Sequence, residues 1–154
     1  MQRIHLVGRK NSGKTTLIRE IVGYLTSRGL RVGTIKHTHH HHELDLPGKD
    51  SYLHREAGAE IVGIITANMQ AVFWNQQRDQ EDSDPYKRIS TFYEECDLVI
   101  VEGDLQTQSI KVEVWRSENH PLPLASERSD IAVVICDNQQ AIDLPSLSRS
   151  DIPQ

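Results

Sequence analysis

The chain has 154 residues, a length that suits one domain folded around one core. Hydrophobic residues make up 37% and charged residues 25% of it, which excludes disordered, collagen-like and disulfide-scaffold classes. The formal net charge is -5 and no block of Lys and Arg stands out. We therefore expect neither a nucleic-acid partner nor a membrane surface.

The two cysteines, Cys96 and Cys136, lie far apart without a C-x-x-C spacing, so neither a disulfide framework nor a thiolate metal site is indicated. The N-terminal residues are too few and too polar for a signal peptide, and no apolar run is long enough to span a bilayer. We expect a cytoplasmic protein.

The first predicted elements follow one another as strand, loop, helix and strand. An apolar run at 4–7 ends at Gly8 and predicts a strand. Residues 14–28 carry apolar side chains at helical spacing and are followed by Gly29, a typical stop. The segment 30–35 predicts a second strand.

The middle of the chain mixes strands with polar segments. Residues 61–66 and 71–74 predict a β-hairpin, and 76–84 predict a solvated acidic loop. Residues 86–96 after Pro85 predict a helix.

The last part of the chain supplies three more strands. The apolar run 98–101 predicts a buried central strand, and the alternation over 110–114 predicts a half-buried one. Residues 131–136 predict the last buried strand, and we expect a weakly structured tail after Ser146. Strands interleaved with helices indicate one layered α/β domain.

Residues 8–15 read Gly-Arg-Lys-Asn-Ser-Gly-Lys-Thr, the pattern G-x-x-x-x-G-K-[ST] between a buried strand and a helix. Backbone N–H groups of such a loop surround a β-phosphate, and the helix N-terminus adds positive charge. Lys14 would neutralise the β- and γ-phosphates, and Thr15 would ligate Mg²⁺. The predicted nucleotide ligands in this loop are Gly8, Asn11, Ser12, Gly13, Lys14 and Thr15. The predicted fold is a three-layer P-loop NTPase-like domain over 1–154, with a mostly parallel sheet and additional antiparallel strands.

A carboxylate stands at the end of the predicted central strand. Glu102 could hold Mg²⁺ or its water from the side opposite Thr15, and Gly103 would allow close backbone packing there. The alternative is a solvated strand-end acid. We take Lys14 and Glu102 as candidate catalytic residues, and Thr15 and Glu102 as candidate metal ligands.

Residues 36–42 read Lys-His-Thr-His-His-His-His and follow the second strand, which we expect to end at the same sheet edge as the phosphate loop. Three interpretations stay open. The imidazoles could chelate a transition metal, they could be solvated, or Lys36 and some imidazoles could contact an anionic ligand.

Several motifs occur in one order. They are the phosphate loop, Ile-Lys-His-Thr-His-His at 35–40, Asp-Leu-Pro-Gly-Lys-Asp-Ser-Tyr at 45–52, Arg55, Ala-Gly-Ala at 57–59 and Val-Glu-Gly at 101–103. Together they resemble the MobB family, molybdopterin-guanine dinucleotide biosynthesis protein B. The likeness is dense over 4–103, and the motifs within 35–52 are far more specific than the phosphate loop.

The resemblance implies a homodimeric GTP-binding protein with weak GTP hydrolysis, which assists a MobA-like nucleotidyltransferase in attaching GMP to molybdopterin. It implies GTP and Mg²⁺ as cofactors and Thr16 as a further nucleotide ligand. It also implies a second wall that would suit another anion, such as the phosphate of molybdopterin. The candidates for that wall are Lys36, His37, His39, His40, Asp45, Lys49, Asp50 and Ser51. Alternatively, Asp45 or Asp50 could orient a water on Mg²⁺, and Asp50-Ser51 could cap a helix.

The chain departs from the family pattern after Val-Glu-Gly, where Asp104, Leu105 and Gln106 replace an aromatic residue and a lysine. No N-K-x-D signature selects guanine, so GTP over ATP rests on the resemblance. Residues 137–138 could read the purine edge or form a simple turn. No residue stands out as an arginine finger, which agrees with slow hydrolysis.

Three other functions stay open from the sequence. A nucleotide or nucleoside kinase would need an arginine-bearing lid, for which Arg78 and Arg88 are the available residues. A metal-insertion GTPase would use the histidines of 37–42 to hold nickel or zinc. A scaffold that has lost nucleotide binding is a third possibility.

Overall fold

A computed structural model describes residues 1–39, 43–74, 84–137 and 145–151. The chain divides into two compact units, one formed by Met1–Thr38 with Arg88–Gln154 and the other by His39–Lys87. The expectation of a single nucleotide-binding domain over 1–154 stays a prediction. None of the helices within the described ranges is long and apolar enough to cross a bilayer.

The described helices and strands follow in this order: β1 (Arg3–Val7), α1 (Lys14–Ser27), β2 (Val32–Lys36), α2 (Asp50–Glu56), β3 (Ile61–Ile65), β4 (Gln70–Trp74), β5 (Leu98–Glu102), β6 (Lys111–Trp115), β7 (Ile131–Cys136) and β8 (Ser146–Ser148).

The first unit contains a six-stranded sheet in the order β2-β5-β1-β6-β7-β8. Every pairing in it is parallel. The carboxyl ends of all six strands therefore meet at one edge of the sheet, where α/β proteins bind their ligands. With the antiparallel pair β3–β4 of the second unit, this confirms the predicted fold class.

The apolar runs of the central strands form the core because both faces of a parallel sheet are covered. Leu17 of α1 is fully buried in one cluster with Leu6 of β1 and Ile100 of β5. Burying a leucine of this kind contributes roughly 2 kcal/mol. The first turn of α1 is thereby held against the strand that leads into the phosphate loop.

The second unit contains α2 and the hairpin β3–β4, whose register runs from Ile61 opposite Trp74 to Ile65 opposite Gln70. The predicted hairpin is confirmed. The predicted helix cap at Asp50-Ser51 is wrong, because the N-cap residue is Lys49 and the first helical residue is Asp50.

Two segment predictions are wrong. Residues 86–96 form turns and one 3₁₀ turn, Ser90–Tyr93, because the N–H groups of Phe92 and Cys96 bond to carbonyls only three residues back. The tail after Ser146 is ordered as β8, which pairs with β7. Most of the predicted acidic loop, 76–83, lies outside the described residues.

The prediction of a half-buried β6 is also wrong. Lys111 and Glu113, expected to face solvent, are 2% and 1% exposed. Lys111 lies 3.0 Å from Asp130, and Glu113 accepts hydrogen bonds from the N–H groups of Leu124 and Ala125 at 2.8 and 2.9 Å. These partners offset the cost of removing both charges from water.

Candidate functional site

The loop between β1 and α1 needs glycine at two positions. Gly8 has φ +142° and Gly13 has φ +91°, values that other residues rarely adopt. A Cβ on Gly8 would also lie 2.4 Å from the carbonyl oxygen of Val114. The two glycines therefore let the backbone fold closely around the loop interior, as the motif predicts.

Lys14 points back into this loop. Its Nζ donates hydrogen bonds to the carbonyls of Gly8 and Arg9 at 2.8 and 2.7 Å and to Ser12 Oγ at 3.3 Å. Burial lowers the pKa of Lys14, while the charge of Glu102 acts in the opposite direction. The ammonium group and the N-terminus of α1 thus lie at the same place, which favours a bound phosphate.

Glu102 reaches the loop because β5 pairs with β1, with Glu102 opposite Leu6. Thr15 Oγ1 donates a 2.9 Å hydrogen bond to Glu102 Oε1, and Lys36 Nζ lies 3.5 Å from the same oxygen. A hydroxyl and a carboxylate in contact are hard oxygen ligands of the kind Mg²⁺ accepts. The residues present therefore fit a magnesium ion.

These groups share one cavity of about 490 Å³ in the first unit, a volume typical of ligand sites. Its lining residues are Lys10, Asn11, Gly13, Lys14, Thr15, Thr16, Lys36, Glu102 and Arg116. Of the residues predicted from the sequence, the structure brings these together here: Asn11, Gly13, Lys14, Thr15, Thr16, Lys36 and Glu102. The predicted loop ligands Gly8 and Ser12 are not among the lining residues.

Sequence reasoning missed three residues beside the loop. Asn119 Nδ2 donates a 2.8 Å hydrogen bond to the carbonyl of Asn11, so the segment after β6 holds the loop. A Cβ on Gly13 would meet a guanidinium nitrogen of Arg116 and one of Arg149, each at 3.2 Å. The position of Arg116 directly after a strand was a usable signal, whereas Arg149 follows a strand that the sequence did not reveal.

His37 and the atypical Asp104 each follow a strand that carries one of the cavity residues, Lys36 and Glu102. Asp104 has φ +66° and is 8% exposed. Its Oδ2 lies 3.9 Å from His37 Nδ1 and 4.0 Å from Nδ1 of His5, a fully buried residue of β1. Burial lowers the pKa of His5, against the opposing effects of the Gly103 carbonyl and Asp104. The acid at position 104 therefore lies between two imidazoles.

The remaining candidates for the second wall belong to the second unit. They are His39, Asp45, Lys49, Asp50 and Ser51. Asp45 Oδ1 accepts hydrogen bonds from Ser51 Oγ at 3.0 Å and from the Leu46 N–H at 2.8 Å, so this carboxylate organises the turn before α2. Their role toward an anion stays a prediction.

Only part of the histidine run lies within the described residues. His40 and the two histidines after it lie outside the described residues. Over the described ranges, no group of three or more His, Cys, Asp and Glu side chains could hold a metal ion.

Four features together define a protein of the P-loop class. They are the parallel sheet, the loop between two glycines after β1, the helix that begins at the loop lysine, and the carboxylate that accepts a hydrogen bond from the loop threonine. The model of one family, described as MobB: Molybdopterin guanine dinucleotide synthesis protein B, matches residues 3–137. The chain belongs to this family.

Individual relatives agree with this assignment. The chain is 34% identical to the molybdopterin-guanine dinucleotide biosynthesis adapter protein of Escherichia coli, over 92% of the chain and 81% of that protein. It is 32% identical to the protein of the same name from Haemophilus influenzae, over 97% and 82%. It also resembles the crystal structure of a MobB homolog from Bacillus stearothermophilus, with TM-score 0.66, 26% identity and coverage of 98% and 90%.

Proposed function

We propose that this chain is a GTP-binding adapter protein of molybdenum cofactor biosynthesis, which assists the attachment of GMP to molybdopterin. The observation that carries the proposal is the cavity in which Lys14, Thr15 and Glu102 converge at the N-terminus of α1. The names of the two relatives above support the pathway.

The phosphates of GTP would occupy the loop from Gly8 to Thr16, where backbone N–H groups and Lys14 neutralise their charge. Thr15 and Glu102 would hold Mg²⁺ or its water, and the ion would neutralise further phosphate charge when bound. The proposed preference for guanine over adenine rests on the family assignment. Asp137 is described and Asn138 is not, so the purine-reading role of 137–138 stays a prediction.

We also propose that hydrolysis is slow. Rapid GTP hydrolysis usually needs a side chain that orients the attacking water. Among the described residues that line the cavity none is a glutamine. Oε1 of the one carboxylate there, Glu102, already contacts Thr15 and Lys36. A binding protein with slow turnover fits this arrangement better than an efficient hydrolase.

The partners follow from the same assignment. We propose a MobA-like nucleotidyltransferase, with molybdopterin as the second anion. Lys36 is suited to contact such an anion, because it lines the cavity and its side chain is 68% exposed. A cytoplasmic location is part of the proposal and rests on the two distant cysteines.

A homodimer is supported by the hairpin of the second unit. Ile61 and Ile65 of β3 and Val72 of β4 project from one face of the hairpin and are 58%, 79% and 41% exposed. An apolar face of this kind marks an interaction surface. Sedimentation of wild type, Ile65→Lys and the control Leu30→Lys tests this: only Ile65→Lys should be monomeric, and a wild-type monomer would refute the dimer.

Calorimetric titration tests nucleotide binding. GTP with Mg²⁺ should bind the wild type and the control Arg19→Gln, an exposed change on α1, and should not bind Lys14→Ala. ATP and ADP measured alongside GTP and GDP give the base preference. Absence of heat with all four nucleotides would refute the proposal.

The same protein preparation separates the alternatives. Phosphoryl transfer from the nucleotide to nucleosides or small alcohols in a coupled assay would favour a kinase. Stoichiometric nickel or zinc that survives dialysis would favour a metal-insertion GTPase. A stimulation of MobA-dependent dinucleotide formation that Lys14→Ala abolishes would support the adapter.

A further inference from the structure

The order of the strands determines the order in which the phosphate loop and five charged residues follow one another along the binding edge. Each strand of the six-stranded sheet ends at or just before one of these residues, taken in sheet order: Lys36, Glu102, Gly8, Arg116, Asp137 and Arg149. Neighbouring strands lie about 4.8 Å apart. The phosphate loop therefore has Glu102 and Lys36 on one flank and Arg116, Asp137 and Arg149 on the other.

The two arginines converge on the loop from this second flank. Nη2 of Arg116 and Nη1 of Arg149 each lie 3.2 Å from the position of a Cβ on Gly13, so they are within twice that distance of each other. Gly13 immediately precedes α1, so both guanidinium groups also lie at the positive end of that helix. Two like charges at a positive helix end repel each other unless anions surround them.

Each of these arginines has an acidic partner. Arg149 donates to both carboxylate oxygens of Glu20 at 3.2 and 3.0 Å. Arg116 Nε lies 3.7 Å from Asp137 Oδ2, beyond hydrogen-bond distance. Within the described part of the chain, the buried Arg116 Nε and Arg149 Nη1 have no hydrogen-bond partner. Arg116 also lines the cavity, so its guanidinium group lies within reach of a ligand there.

We propose that Arg116 binds the α-phosphate of the nucleotide and that Arg149 is a positioning residue that strengthens the positive field beside it. This inference rests on the proposed function. If Thr15 and Glu102 held Mg²⁺, the β- and γ-phosphates would occupy the loop and its Glu102 flank. The phosphate that continues toward the β6 flank would then be the α-phosphate, near Arg116, whose guanidinium can bind phosphate oxygens through two donors.

The test is titration with GTP and with inorganic triphosphate at several salt concentrations. Arg116→Gln should weaken GTP binding about 10- to 100-fold, the effect of losing a charged hydrogen-bond donor, and should make the affinity less dependent on salt. Inorganic triphosphate should lose affinity as well. Arg116→Lys keeps the charge but loses the paired donors of the guanidinium group. Its affinity for GTP should lie between those of wild type and Arg116→Gln, and its salt dependence should match the wild type.

Arg149→Gln should weaken GTP binding several-fold and also lower its salt dependence, a change that a purely structural role would not produce. Arg19→Gln, an exposed arginine on α1, is the charge-matched control and should match the wild type. Thermal melting of each variant without nucleotide shows whether it is folded.

Two results would overturn the proposal. An unchanged salt dependence in Arg116→Gln would mean that the Arg116 charge does not act on a phosphate, and a loss confined to GTP with inorganic triphosphate unaffected would place Arg116 at the nucleoside. Failure of the wild type to bind GTP would instead refute the proposed function. The two failures are therefore distinct.

Discussion

Thr15 Oγ1 donates a 2.9 Å hydrogen bond to Glu102 Oε1, which joins the first turn of α1 to the end of β5. Parallel pairing of β1 with β5 makes this contact possible, because it brings Glu102 beside the residues that lead into the loop. A hydroxyl and a carboxylate held together in this way are positioned to share one divalent cation.

Glu102→Gln should therefore reduce the gain in GTP affinity that Mg²⁺ produces, because an amide neutralises no cation charge. Titration with and without Mg²⁺ measures that gain. Glu95→Gln is the control, since Glu95 is 89% exposed and pairs with Arg31. An equal Mg²⁺ effect in wild type and Glu102→Gln would contradict a metal role for Glu102.

Gly8→Ala should lower the free energy of unfolding by about 2 kcal/mol or more, through a disfavoured φ and a Cβ 2.4 Å from a backbone oxygen. Gly23→Ala is the matched control. A Cβ on Gly23, within α1, would meet nothing within 4 Å, so it should stabilise the protein by about 0.5–1 kcal/mol. Urea unfolding compares the two, and similar effects would contradict the strained geometry of Gly8.

Glu113→Ala should destabilise the protein by about 3 kcal/mol, because it leaves the buried N–H groups of Leu124 and Ala125 without their acceptor. The exposed Glu118→Ala should stay within about 0.5 kcal/mol of wild type. Denaturant midpoints at constant slope measure both. A small loss for Glu113→Ala would mean that water replaces the carboxylate.

His5 should make stability depend on pH. Burial lowers its pKa below the ordinary value of 6.5, so the unfolded chain binds more protons than the folded one at pH values between the two pKa values. The contribution of neutral His5 to the free energy of unfolding should therefore be fully present above about pH 6.5. It should fall as the pH drops from there toward the lower pKa of the folded state.

The comparison of wild type with His5→Asn isolates this contribution. Asparagine can still donate to the Gly103 carbonyl, which lies 3.3 Å from His5 Nδ1, but it does not titrate. The slope of unfolding free energy against pH should be smaller in the variant between pH 6.5 and the acid limit of folding. An identical slope would assign the pH dependence to other groups.

Local sequence determined the parts of this protein that depend on short-range chemistry. The glycines at 8 and 13 and the lysine at 14 predict the phosphate loop, because that loop is formed by consecutive residues between one strand and one helix. The β3–β4 hairpin and the buried strand β5 followed from apolar patterns in the same way.

The tertiary structure decided what depends on residues distant in the chain. Lys111 and Glu113 look solvent-facing in an alternating strand, and only their partners Asp130, Leu124 and Ala125 allow their burial. The segment 86–96, predicted as a helix after Pro85, instead forms turns closed by hydrogen bonds to carbonyls three residues back.

The two sides of the binding edge show the same division. The phosphate loop is recognised by its residue pattern, and Glu102 by its position at the end of an apolar run, so the sequence alone indicated both. Arg116 and Arg149 reach Gly13 only because β6 and β8 join the parallel sheet beside β1 and β7. Strand order is set by packing of the whole sheet, and no local pattern of side chains encodes it.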